Sequence, residues 1–264
     1  SRETLSVEHV NGVLAIMQPL DSGYTSEELD RWKGRILLEA LLTSFITDEL
    51  RNFLWQESDC LGLWKQMLTA KNLGRVLMPL ADESFKTGLA SIANEIENSL
   101  TSVDDLGVIL RSLNEGQCKQ FLDAVQGKLT DIIKNGGQLG RALKNLNETQ
   151  CGVLLAAVQN KLSDIIKDVT QLGDALRYLN ETKRGVLLAA VESKLSDIIN
   201  NGEQLGDALS YLNETQCGVL LAAVHGKLSD MIKDGAQLGD VLSCLNETQR
   251  GVLLAAVESK LSDI

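Results

Sequence analysis

The chain has 264 residues, 44% of them apolar but only 4% aromatic, and 36 acidic against 25 basic side chains leave a net charge of −11. That apolar content offsets chain entropy well enough to exclude a disordered polymer. Acidic residues outnumber basic ones both before and after residue 112, which argues against a phosphate-tracking surface, so neither nucleic acid nor an anionic membrane is an expected partner.

Only Pro19 and Pro79 interrupt a composition built on Leu, Ala, Val and Ile, so an all-α fold is expected. The longest apolar run in the repeated part, VLLAAV, falls far short of the roughly 20 residues that span a bilayer, and no membrane insertion is expected. No cationic segment leads into an apolar stretch at the start, so no signal peptide is read. The chain opens at Ser1 without Met and stops inside a repeat at Ile264, as a piece of a longer protein would.

In chain order, residues 1–46 predict a helical cap. Thr25-Ser-Glu-Glu28 is a capping box that opens an amphipathic segment continued by Leu37, Leu38, Leu41, Leu42 and Phe45. Trp32, Phe53, Trp55 and Trp64 predict an aromatic core at this end, with a partner site on the cap as the functional alternative. Residues 47–112 predict worn helical repeats. NLGRVL and DLGVIL stand where later copies carry QLGDAL, and Leu73, Gly74, Leu77, Leu80, Leu89, Ile92, Ile96, Leu100, Leu106, Gly107 and Leu110 hold the core register.

From 113 to 264 the repeat is plain: four 33-residue copies and a truncated fifth, counted from Leu113, Leu146, Leu179, Leu212 and Leu245. In each copy Asn147 or its equivalent predicts an N-cap, with Gln150 three residues on. Leu154, Val158, Leu162 and Ile165 form one helical stripe, either unbroken to about 167 or bent near Asn160, where Gly127, Ser193, Gly226 and Ser259 would cap a short second helix. A turn (KNG, KDV, NNG or KDG) leads to a last helix carrying Leu172, Leu176 and Leu179. Gly140, Gly173, Gly206 and Gly239 sit inside that helix at a cost in propensity, which predicts close helix–helix approach. Lys128, Lys161, Lys194, Lys227 and Lys260 precede Asp131, Asp164, Asp197, Asp230 and Asp263 by three residues, predicting surface i,i+3 pairs. One copy has too few apolar side chains to offset the ordering of its own backbone, so neighbours must stack. The expected architecture is an all-α, right-handed solenoid of 33-residue repeats behind an N-terminal helical cap.

The five cysteines are odd in number and lack CxxC spacing, and Cys118, Cys151 and Cys217 share a slot with Arg184 and Arg250. A position that trades with Arg is a poor disulfide partner, so a reducing, cytosolic environment is expected. The four N-E-T triplets from Asn147 to Asn246 read as helix caps rather than glycosylation sites. No GxGxxG or phosphate loop, no metal-ligand spacing around His9 or His225, and no nucleophile–base set occurs. Hence no catalytic, cofactor-binding or metal-ligating residue is assigned, and a non-enzymatic protein is expected. The letters that vary between copies are the candidate partner contacts: Cys151, Arg184, Cys217 and Arg250; Gln159, Glu192 and His225; Arg177; and Tyr178 and Tyr211.

With LNExQ…FLxAVxxKLxDIIKxxxQLGxAL in view, residues 80–264 resemble the helical tandem repeats of type IV-secreted effectors from intracellular bacterial pathogens. The resemblance implies the host cytosol as workplace and a host protein as partner. The period is also near that of the DNA-reading repeats of plant-pathogen effectors, but NGGQ occurs once, at Asn135–Gln138, and the charge is acidic. Ankyrin repeats share the period without their TPLHxA signature appearing here. The expected function is a protein–protein interaction scaffold. The alternatives are a substrate-positioning arm of a larger enzyme and, ranked lower, a nucleic-acid reader.

Overall fold

The computed structural model describes residues 5–17, 25–42, 47–56 and 58–258. Phe45, Ser259, Lys260 and Asp263 lie outside the described residues. Apart from an isolated bridge residue at Leu5, every regular element among the described residues is helical. The chain forms two compact units, Ser1–Thr101 with Val108–Gln117, and Ser102–Gly107 with Cys118–Ile264.

The first unit holds α1 (Val7–Met17), α2 (Ser26–Leu42), α3 (Asp48–Gln56), α4 (Ser58–Trp64), α5 (Ala70–Leu77), α6 (Asp82–Ser91) and α7 (Ala93–Ser99). The capping box at the head of α2 forms. The Glu28 carboxylate accepts from Thr25 N at 2.7 Å, and Thr25 Oγ1 accepts from Glu28 N at 3.3 Å. The bond from the Thr25 backbone N–H holds the Glu28 carboxyl below its usual range. α2 packs on α1, α4 and α5. Trp64 is fully buried, donates from Nε1 to Leu54 O at 2.9 Å and meets Trp55 edge-on with ring centroids 4.8 Å apart. The expected aromatic core is therefore centred on two rings. Trp32 points away from it and is 54% exposed, because it falls on the solvent side of α2 while Leu37, Leu38 and Leu41 fill the buried stripe.

The following helices are α8 (Val103–Leu110), α9 (Glu115–Ala124), α10 (Gln126–Ile132) and α11 (Gly136–Lys144). α8 and α9 each contribute residues to both units. Next come α12 (Glu148–Ala157), α13 (Leu162–Ile165), α14 (Val169–Leu176), α15 (Glu181–Val191), α16 (Leu195–Ile198) and α17 (Gly202–Ser210). α18 (Glu214–Val224), α19 (Leu228–Met231), α20 (Gly235–Ser243) and α21 (Glu247–Val257) complete the chain.

Each copy thus contains three helices. The first is the one that Asn147 and its equivalents cap, with Oδ1 accepting from the amide three residues on at 2.9–3.0 Å in every clear copy. It does not run through to residue 167. At Val158 the backbone leaves helical geometry (φ −100°, ψ 7°), and Lys161 N donates back to Val158 O at 2.8 Å, closing a short 3₁₀ turn before α13. The small residues near the break do not cap the short helix. Its N-cap positions are Lys161, Lys194 and Lys227, without side-chain cap bonds. A second cap, unforeseen in the sequence, starts the third helix: Asn135, Asp168, Asn201 and Asp234 each accept from a glutamine amide at 2.8–2.9 Å.

These helices are too short to hold alone, and their partners lie one copy away. α11 packs on α14, α14 on α17 and α17 on α20; α12 packs on α15, α15 on α18 and α18 on α21. Leu154, Leu187, Leu220 and Leu253 are all fully buried, as are Leu162, Leu195 and Leu228. The close approach expected at the glycines is made by backbone at Gly140, where a Cβ would sit 2.5 Å from Ala175 O; at Gly107 and Gly206 a Cβ would make ordinary contact at 3.4 Å, to Ala142 O and Val241 Cα. In the first unit, Gly74 repeats the arrangement against Ile109 O at 2.7 Å, so the worn NLGRVL segment keeps the same close approach. The core positions read in the worn copies, among them Leu73, Leu77, Ile92, Ile96, Leu100, Leu106 and Leu110, are buried.

Two glycine substitutions should therefore part company in a urea titration. Gly140→Ala is expected to destabilise the protein by about 1–3 kcal/mol through overpacking against a backbone that cannot yield. A Cβ on Gly239 meets nothing within 4 Å, so Gly239→Ala should be neutral or stabilising by up to about 1 kcal/mol. Equal effects at both positions would refute the close-approach account.

Candidate functional site

The positions that vary between copies fall into three groups. The first was read as surface, and its two cysteines are not. Cys151 and Cys217 are 1% and 0% exposed, which corrects their assignment as partner contacts. Each thiol lies against the end of the preceding helix, Cys151 Sγ donating to Leu143 O at 3.6 Å and Cys217 Sγ to Leu209 O at 3.7 Å. Where arginine takes the slot, its Nε–H makes the same bond: Arg184 to Leu176 O at 3.1 Å and Arg250 to Leu242 O at 2.8 Å. All four acceptors stand eight residues before their donor. The slot brings a second donor to a helix-terminal carbonyl that already accepts the backbone N–H three residues on. Cysteine supplies it from inside, and arginine supplies it through a stem that leads its charge out to solvent.

The second group gathers where the third helix of each copy ends. Arg177 is exposed, bonded to Asp174 at 2.6 Å and set over the half-buried Tyr178 ring at 5.5 Å. Arg184 reaches to the far end of its own copy, donating from Nη1 to Tyr211 O at 2.7 Å. Tyr211 is 38% exposed and covers Gly173, whose Cβ would lie 3.1 Å from the ring. Arg250 is exposed at the equivalent place further on.

The third group, Gln159, Glu192 and His225, is exposed at the other end of the first helix. α15 has 11 residues, about 16 Å at 1.5 Å per residue, so the second and third groups are separate rows.

Two cross-copy contacts have no counterpart in the sequence reading. The glutamine of the capping box is buried in Gln117, Gln150, Gln216 and Gln249. Its Oε1 accepts from the N-cap amide of its own helix, as in Asn246 N to Gln249 at 2.9 Å. Its Nε2 donates to carbonyls of earlier copies: Gln117 to Met78 O and Leu80 O, Gln216 to Glu181 O, Gln249 to Leu209 O and Leu212 O. Lys183 replaces it once and donates from Nζ to Lys144 O at 2.6 Å. Lys227 bonds to Ser196 O at 2.7 Å and pairs with Asp197, 30 residues back, at 3.3 Å. The expected i,i+3 pair with Asp230 is replaced by this cross-seam pair, because the 3₁₀ turn ends at Lys227 and takes it out of line with the helix that follows.

In the first unit, exposed Trp32 lines a cleft of about 570 Å³ with Leu5, Val10, Val13, Ile36 and Ala40. Among the described residues no group of three or more His, Cys, Asp or Glu could hold a metal ion, and no helix is long and apolar enough to cross a membrane. No protein-family model matches the chain, and no curated protein matches it.

Burial raises the Cys118, Cys151 and Cys217 thiols to about 11 from an ordinary 9. The fold therefore favours the protonated thiol. This stabilisation is complete below pH 9 and is lost as pH rises towards 11. In native protein at pH 8, iodoacetamide should modify exposed Cys244 rapidly and leave Cys151 and Cys217 untouched until urea is added, as read by peptide mass spectrometry. Equal rates at all three would refute their enclosure.

Proposed function

We propose that this protein is a non-catalytic protein-binding scaffold, a right-handed α-solenoid of 33-residue repeats that meets its partner along a curved face. We propose further that it acts as a bacterial effector in the host cytosol, on a host protein. One observation carries the binding reading. The residues that stay constant between copies are the buried leucines, the glycines and the capping asparagines, whereas the exposed residues that change collect in rows. A constant frame with variable exposed positions is how helical arrays separate folding from recognition. Stacking of equivalent helices one copy apart supports the solenoid architecture. The resemblance of the repeats to secreted effector repeats supports the setting.

The row at the ends of the third helices is the stronger contact surface, since it joins Tyr178 and Tyr211 to Arg177 and Arg184. Tyrosine and arginine are the residue types that concentrate interface energy. Two variant proteins separate the rows: Arg177→Glu with Tyr178→Ala, and Glu192→Lys with His225→Glu. In a pulldown from host-cell lysate, the first should lose the recovered protein and the second should keep it, with far-UV circular dichroism unchanged in both. Retention of the partner by the first variant would sink this assignment.

A further inference from the structure

We propose that the seam where α14 and α15 meet α17 and α18 is a hinge built into the repeated part, held ajar by Val169 and Tyr211. This goes beyond the scaffold reading and does not depend on it. Three successive seams differ in what fills them. In the first, between α11 and α14, backbone meets backbone: a Cβ on Gly140 would lie 2.5 Å from Ala175 O, and one on Gly136 1.7 Å from Gln171 O. In the third, between α17 and α20, a Cβ on Gly206 would lie 3.4 Å from Val241 Cα, and one on Gly202 3.4 Å from Met231 O. In the seam between them, the three atoms nearest to a Cβ on Gly173 all belong to the Tyr211 ring, the first at 3.1 Å. A side chain stands there where the other two seams have main chain. α14 and α17 touch more sparsely than α11 and α14 or α17 and α20. In the second layer, α15 and α18 touch more sparsely than α12 and α15 or α18 and α21.

One residue explains the difference. Val169 occupies the place held by Gly136 and Gly202 in the seams on either side. It carries the Cβ that would collide with a carbonyl at the first seam, so α17 cannot come as near to α14 as α14 comes to α11. Tyr178 and Tyr211 are equivalent residues, yet a Cβ on Gly140 meets Ala175 first and one on Gly173 meets the Tyr211 ring first. With glycine at 136 the main chains close. With valine at 169 they stand apart, and a ring enters the space. The bonds that cross this seam run through side chains: Arg184 Nη1 donates to Tyr211 O at 2.7 Å, Gln216 Nε2 to Glu181 O at 2.6 Å, and Lys227 Nζ to Ser196 O at 2.7 Å. Water replaces such bonds at little cost as the seam widens. Leu187 and Leu220, both fully buried, stay together as the pivot.

Cysteine trapping in the full chain tests the hinge. Ala175 and Ala208 are both fully buried; Ala175 faces Gly140 in the first seam, and Ala208 holds the equivalent place in the hinge. Ala175→Cys and Ala208→Cys are treated separately with iodoacetamide under native conditions, and each rate is divided by its rate in urea. Ala208→Cys is expected to react about tenfold faster than Ala175→Cys, while the buried native Cys151 and Cys217 stay unmodified in both. Adding Val169→Gly, the residue of both neighbouring seams, should lower the Ala208→Cys rate to that of Ala175→Cys, with circular dichroism unchanged. Should a cysteine variant fail to fold, hydrogen exchange carries the test: Val169→Gly alone should slow the amides of α17 relative to the parent chain. Equal rates at 175 and 208, no slowing by Val169→Gly, or modification of Cys217 as fast as that of the thiol introduced at 208 would each overturn the hinge. The measurements need no partner, so the pulldown decides the scaffold reading separately.

Discussion

The passage of one helix across the bare backbone of its equivalent is the constraint on which the repeated part depends. At Gly140 the neighbouring chain comes so near that a single added carbon would lie 2.5 Å from Ala175 O. Glycine in mid-helix weakens the helix, and short helices have little to spare. The weakness is tolerated because closeness lets the leucines on either side, such as Leu139 and Leu172, be fully enclosed by their counterparts. At this joint local preference is thus sacrificed at one position so that burial succeeds at many. The same trade at Gly74 accounts for register surviving in the NLGRVL segment, whose other letters have drifted.

Much of this was legible before any coordinates. Asparagine at the head of each copy could serve as a cap in only one way, and the four-, four- and three-residue spacing of Leu154, Val158, Leu162 and Ile165 placed them on one face. Glycine recurring inside a helix announced its neighbour. What stayed hidden was any role defined by a partner in another copy. Gln150 reads locally as half of a capping box, and no periodicity reveals that the amide of an equivalent glutamine serves the copy before it. The alternation of cysteine with arginine looked like drift on a surface, because hydrophobicity ranks the two at opposite extremes. Their common property is an N–H or S–H at the right distance from a carbonyl eight residues back, and composition does not record it. Trp32 was misplaced for a related reason: an aromatic residue near other aromatics in sequence need not lie on their side of the helix.

The candidate surface was legible only in outline. Variation picked out ten positions. The structure removes Cys151 and Cys217 from solvent and divides most of the others between the two ends of the first helix. Variation alone cannot separate a residue that is free to change from one that changes between two chemically equivalent solutions. Exposure and hydrogen bonding do separate them.

The buried glutamine has a consequence for how the repeated part comes undone. One side chain both finishes the first turn of its own helix and ties down a carbonyl of its neighbour, so removing the neighbour also frays the helix that remains. Damage at one joint is passed along the row, and adjoining copies melt together. Lys183 breaks that arrangement. Asn180 keeps its cap bond to Lys183 N, but a flexible ammonium stem replaces the rigid amide. At this joint the cap and the tie to the earlier copy no longer rest on one rigid group, so the cap of α15 does not depend on the bond that Lys183 Nζ makes to Lys144 O.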